Sequence, residues 1–170
     1  DNQIYGLTKG QTSPSSAKGF VTKSTPKGNI EKNVAPLELA LSSGATFVAQ
    51  GFSSDIKALT KMIEDAIHHD GFSFVNVFSP CVTYNKVNTY DWFKEHLTSI
   101  DDIEGYDITD KQLAMKTVLD HESLVKGIVY QDTTTPSYES QISELEHEAL
   151  AKRDIHITEE TFNDLTAQFL

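Results

Sequence analysis

A chain of 170 residues, 38% hydrophobic and 23% charged, has room for one packed domain or most of a larger one, and is too apolar and varied to stay disordered. No apolar run approaches the ~20 residues that span a bilayer, and no basic-then-apolar leader opens it, so membranes are excluded as partners and a cytoplasmic location is expected. A single cysteine, Cys81, excludes an internal disulfide framework and a zinc site built from cysteines alone.

The net charge of −11 is uneven: residues 1–99 balance nine lysines against nine acids, whereas residues 100–170 hold sixteen acids against five basic residues. Residues 1–30 reverse the sign, with Lys9, Lys18, Lys23 and Lys27 against Asp1. Basic, Gly- and Ser-rich loops favour anions such as phosphate. Four lysines do not offset the overall negative field, which excludes nucleic acid.

Asp1 to Tyr5 reads as a strand leaving into a loop with no initiator Met before it, the pattern of a fragment incomplete at its N-terminus. Residues 6–36, with four Gly, three Pro and eight Ser or Thr, favour turns, and a loop of that length in a compact domain is usually functional or disordered. Leu37 to Ser43 predicts a short helix. Ala45 to Gln50, apolar on both faces, predicts a strand of a covered parallel sheet. Ser53, Ser54 and Asp55 offer helix caps before Ile56, Leu59, Ile63, Ala66 and Ile67 at helical spacing, and Phe72 to Phe78 is a second buried strand, completing a βαβ unit.

Further helices are expected over Tyr90–Ile100 and Asp110–His121, and a third strand over Leu124–Tyr130. Past Pro136 the stripes Tyr138, Ile142, Leu145, Ala149 and Phe162, Leu165, Phe169 predict an acidic helical tail whose apolar faces need cover. The class is α/β with a mostly parallel sheet flanked by helices, organised as residues 1–136 with a 10–36 loop, then 137–170. In such sheets ligands gather at the carboxyl ends of strands, here near Asn2 and Cys81.

At the first of these ends, the side-chain oxygen of Asn2 and a backbone carbonyl two residues on can face a hard cation such as Mg²⁺, and Gly6 and Gly10 admit close backbone approach. It is not a P-loop, because the Gly–Lys–Ser/Thr order is missing. His68, His69 and Asp70 close a helix, where His suits the dipole. His96, His121, His147 and His156 are scattered. Asp101, Asp102 and Glu104, like Glu144 to Glu148, read as solvated acidic faces.

The runs NQIYGLTKGQTSP, KGFVTKSTPKG, GATFVAQGF and SPCVTYN, in this order, resemble the β subunit of 2-oxoacid:ferredoxin oxidoreductases, particularly the 2-oxoglutarate type. The resemblance covers residues 1–95 and continues more loosely through Gly127 to Tyr130 and the tail. It implies a thiamine-diphosphate-binding fold, with Asn2 giving a side-chain ligand and Ile4 a carbonyl ligand to Mg²⁺. It also implies that Gly6 and Leu7 line the thiamine site, with Thr8, Lys9 and Gln11 close by, and that Cys81 is one thiolate of a 4Fe–4S cluster. The implied partners are an α subunit, ferredoxin, a 2-oxoacid (2-oxoglutarate or pyruvate) and coenzyme A. The family's Gly-Asp-Gly aspartate and Cys-x-x-Cys pair are absent from these residues, so the chain alone is expected to bind the cofactors weakly and to carry Cys81 as a free thiol. The competing readings are a non-catalytic subunit-interaction segment and a thiamine-dependent decarboxylase without electron transfer, the latter disfavoured by Cys81.

Overall fold

The computed structural model describes residues 1–145, 148–167 and 169, and divides into two compact units, 1–135 and 136–170. In the first unit α1 (Pro36–Ser42) begins on a proline at its first turn, where a missing N–H costs nothing. It leads into β1 (Phe47–Phe52), all six residues of which are buried. The helix α2 (Ile56–His68) follows, capped by Asp55, which accepts from the Ala58 N–H at 3.3 Å. Next come β2 (Ser73–Phe78), α3 (Tyr90–His96), the two-residue β3 (Thr98–Ser99), α4 (Lys111–Asp120) and β4 (Val125–Gln131). Asp110 caps α4 by accepting from Gln112 N and Leu113 N.

The sheet order is β2-β1-β4-β3. β1 and β2 pair in parallel from Phe47↔Ser73 to Phe52↔Phe78, and β3 runs parallel to β4. β1 and β4, however, are antiparallel, with a register shift between Val48 and Ala49. The sheet is therefore mixed rather than uniformly parallel. An apolar run states burial but not direction, and β4 buries the same residue types whichever way it runs.

Alternation along β1 sorts the core into layers. Val48 packs with Leu37, Leu41, Val118, Val125 and Val129, joining the sheet to α1 and α4. Phe47 and Ala49 meet Met62 of α2. Phe52, Phe78 and Phe93 form a third cluster at the carboxyl ends of β1 and β2, with the Phe78 and Phe93 rings stacked 4.5 Å apart. Each fully buried large side chain contributes about 1.5–3 kcal/mol.

Three expectations need correction. The helix from Tyr90 stops at His96, because Leu97 turns extended and Thr98 joins β4 as β3. The α2 stripe is turned partly outward: Met62 is buried, while Ile56 and Ile67 are about three-quarters exposed. In the second unit, the described residues Glu139–Gln141, Ser143–Leu145 and Leu150–Lys152 form 3₁₀ turns where the stripe predicts helix, before α5 (Glu159–Ala167). Tyr138, Phe162, Leu165 and Phe169 are exposed there. His147, and with it part of the Glu144 to Glu148 acidic run, lies outside the described residues.

Candidate functional site

The carboxyl end of β2 is flanked by two loops, residues 1–15 and 79–89. Ser79 N–H donates to Asp1 O at 2.8 Å, placing the first residues beside the strand end. There the chain makes two consecutive side-chain turns of the Asx type. Asp1 Oδ1 accepts from Gln3 N at 2.9 Å, and Asn2 Oδ1 from Ile4 N at 3.1 Å. Between them Gln3 takes the left-handed conformation, φ +57°, which is uncommon for a residue with a Cβ. It is held from the other side by Ser16 Oγ, which donates to Gln3 O, while Ser15 Oγ donates to Asp1 Oδ1 at 2.8 Å.

Beyond the turn, Tyr5 N donates to Gln11 O and Gly10 N to Tyr5 O, both at 2.9 Å, which closes residues 5–11 into a short loop. Leu7 stands fully exposed at its tip, and Thr8 bonds Gln11 Oε1 across it. The loop lies on the SPCVTYN segment. A Cβ on Gly6 would fall 3.1 Å from Cys81 Sγ, and one on Gly10 would fall 3.2 Å from the Tyr84 ring. Gly10 also has φ +100°, so two separate constraints favour glycine there.

The long loop that follows is ordered by polar side chains rather than by strands or helices. Ser16 is wholly buried, and Asn29 Nδ2 donates to Ser16 O at 3.0 Å and Glu31 O at 3.2 Å. Buried amides of this kind are stable only when satisfied.

These segments enclose an open groove of about 830 Å³. Asn2, Ile4, Gly6, Leu7 and Thr8 all line it, opposite Phe74 and Asn76 of β2. The five residues named from the sequence as candidate ligands or site lining are thus brought together on one groove. Lys9 and Gln11 belong to the same loop but are not on the groove wall, and Cys81 touches the loop at Gly6 from outside it. Phe74, Asn76 and the buried Asn85 went unnoticed in the sequence. Asn76 Nδ2 donates to Gln50 Oε1 at 2.7 Å, and Gln50 Nε2 donates to Ser123 O and Val125 O, both at 2.7 Å. An isolated polar residue within each apolar strand run was the available signal.

As donors, the Asn2 side-chain oxygen and the Ile4 carbonyl are neutral oxygens of the kind hard cations take. Asn2 Oδ1 retains a second lone pair beyond the bond from Ile4 N. Among the described residues no group of three or more His, Cys, Asp or Glu could hold a metal. The histidines near α2 are structural: His69 Nε2 pairs with Thr46 Oγ1 at 2.8 Å, and His68 Nδ1 with Glu64 O. His96 stacks on Trp92.

Two known families match the chain in succession. Residues 1–77 match the C-terminal TPP-binding domain of thiamine pyrophosphate enzymes, and residues 81–147 match the C-terminal family of the pyruvate ferredoxin oxidoreductase β subunit. A 2-oxoacid:ferredoxin oxidoreductase β subunit from a Sulfolobus species is 40% identical over 152 residues, 84% of this chain and 50% of that one. The 2-oxoglutarate oxidoreductase subunit KorB of Mycobacterium tuberculosis is 45% identical over 85 residues, 50% of this chain and 23% of its own length. Among solved structures, the 2-oxoglutarate:ferredoxin oxidoreductase from Magnetococcus marinus, with 2-oxoglutarate, coenzyme A and succinyl-CoA bound, superposes with a TM-score of 0.81 at 31% identity. It covers 97% of this chain and 55% of that one. The chain spans about half the length of the curated β subunits it matches over most of its own sequence.

Proposed function

We propose, from the kinship of this chain with the β subunits of 2-oxoacid:ferredoxin oxidoreductases, that it forms part of the cofactor site of such an enzyme. The assembled protein would act in the cytoplasm, together with an α subunit. It would decarboxylate a 2-oxoacid, 2-oxoglutarate rather than pyruvate, form its coenzyme A ester and pass the electrons to ferredoxin. The 2-oxoglutarate preference is supported by the names of the KorB relative and of the matched structure.

In this reading Asn2 Oδ1 and the Ile4 carbonyl take two positions on Mg²⁺. The cation's other oxygen ligands would come from the diphosphate and from groups outside these residues. The carrying observation is the Asp1–Ile4 turn, whose left-handed Gln3 is held by the chain's own side-chain hydrogen bonds. A donor pair set in advance loses little freedom on binding. Thiamine diphosphate, when bound, supplies the carbanion and the electron sink. The chain's own part is to fix the diphosphate end, to line the thiamine with Gly6, Leu7 and Thr8, and to shield it with the apolar wall of Phe74, Val34 and Pro36.

Cys81 enters as one thiolate of a 4Fe–4S cluster. Four thiolates are needed, so three come from outside this chain. Support comes from the packing of Cys81 Sγ against Gly6: a cluster held by Cys81 would lie beside the loop proposed to line the thiamine. In the assembled enzyme Cys81→Ser is expected to abolish ferredoxin reduction by 2-oxoglutarate while thiamine diphosphate remains bound. Undiminished ferredoxin reduction by the variant would refute the assignment.

A further inference from the structure

We propose that Asn85 is a positioning residue that ties the Cys81 loop to the Asn2–Ile4 turn, so that the two are set as one unit. Its bearing on cofactor binding rests on the function proposed above, whereas the tie rests on hydrogen bonds alone.

Asn85 is wholly buried, and an amide there is stable only with its polar atoms paired. Its Nδ2 donates to Asn2 O at 3.1 Å and to Asn88 Oδ1 at 3.2 Å. Its Oδ1 accepts from Val87 N at 3.0 Å and Asn88 N at 2.9 Å. Two backbone N–H groups can only donate and the Asn2 carbonyl can only accept, so a single orientation of the carboxamide satisfies all of them. The Asn85 backbone N–H donates to Cys81 O at 2.9 Å. One residue therefore holds Cys81 with its main chain and Asn2 with its side chain. Among the described residues this is the one side-chain hydrogen bond joining residues 1–11 to residues 79–89.

The tie falls on a strained place. Asn2 O belongs to the peptide that enters left-handed Gln3, and a conformation of that kind persists only where its surroundings over-determine it. Ser16 holds the far side of that residue at Gln3 O, while the entering peptide is held at its N–H by Asp1 and at its carbonyl by Asn85. Neither an acid nor an alcohol substitutes. A carboxylate keeps both accepted bonds but turns an oxygen toward Asn2 O, and a serine hydroxyl is too short to span the gap.

The experiment uses the intact β subunit in its assembly, with Asn85→Asp and Asn85→Ser as breaking variants. Asn88→Ala is the control, because it disturbs the same loop without touching Asn2. Amide hydrogen exchange is followed without cofactor, and Mg²⁺ is titrated in the presence of thiamine diphosphate. Breaking the tie is expected to speed exchange about ten-fold over residues 3–5 as well as 85–88, and to raise the half-saturating Mg²⁺ concentration about ten-fold. Asn88→Ala should speed exchange over 85–88 only and leave Mg²⁺ binding as it was.

A folded Asn85 variant with wild-type exchange at residues 3–5 overturns the proposal. If exchange rises but the wild-type assembly takes up no Mg²⁺ with thiamine diphosphate, the proposed function fails and the tie stands. Should both variants fail to fold, the wild type decides: bound Mg²⁺ and thiamine diphosphate slow exchange at 85–88 if the loops are coupled, and no slowing in protein shown to be loaded overturns the coupling.

Discussion

At the scale of single residues, the groove depends on atoms that are missing as much as on those present. Gly6 lacks a Cβ where Cys81 Sγ lies 3.1 Å from its ideal position. Gly6→Ala is expected to cost about 1–3 kcal/mol through overpacking, and Gly10→Ala more, because Tyr84 crowds it and its φ is +100°. Urea unfolding of both variants against the wild type measures this, and equal losses would contradict the backbone part of the argument. Asp132 gives a test by pH. Hydrogen bonds from the side chains of Thr135 and Thr134, and from the Thr134 backbone N–H, hold its carboxyl well below the ordinary value of 3.8. A carboxylate with a depressed folded value stabilises above its unfolded value, and the contribution is lost only as pH falls through the lower folded one. The Asp132 carboxyl resonance should therefore stay in its ionised position through pH 3.8, and a midpoint at that pH would contradict the turn. Tyr106, whose hydroxyl donates to Val129 O at 2.6 Å, is pushed up to about 12 by burial and the nearby Asp110 carboxylate.

At the scale of elements, an apolar pattern locates a strand or helix face where the packing around it is complete and misleads where cover is incomplete. Phe47 to Phe52 became the central strand, buried throughout. The caps at Asp55 and Asp110 act as capping residues do. Ile56 and Ile67 carry the same helical spacing yet face outward, because periodicity says that a face is apolar but not what covers it. The groove residues Asn2 to Thr8 were legible from their motif. Asn76 and Asn85 were not, since a polar residue in a strand or turn becomes informative only once its partner, 26 or 83 residues away, is placed beside it. Gln50 shows what such pairings are worth: Gln50→Leu strands the Ser123 carbonyl at the left-handed Glu122–Ser123 turn and the Val125 carbonyl at the start of β4. It is expected to destabilise by about 1–3 kcal/mol, read by thermal or chemical unfolding, and a neutral result would remove the network from the account. Phe93→Ala, which empties the centre of the aromatic cluster at the strand ends, should cost about 3–5 kcal/mol.

At the scale of the whole molecule, the sheet and the groove belong to residues 1–135, while sixteen of the 25 acids fall in residues 100–170. Among the described residues of 136–170 none is buried, and Tyr138, Ile155, Phe162 and Phe169 are exposed, so trypsin acting on the chain should cut first at Lys152 or Arg153 and spare the lysines of β4 and α4. The central claim is that Asn2 and Ile4 take Mg²⁺ on the diphosphate side of a thiamine site. The most direct test is to titrate Mg²⁺ into the assembled oxidoreductase with thiamine diphosphate, comparing wild type with Asn2→Ala. The account predicts binding weaker by about ten-fold or more for Asn2→Ala, the loss of one hydrogen-bonding and metal-ligating oxygen. Equal Mg²⁺ affinity in the two proteins would contradict it.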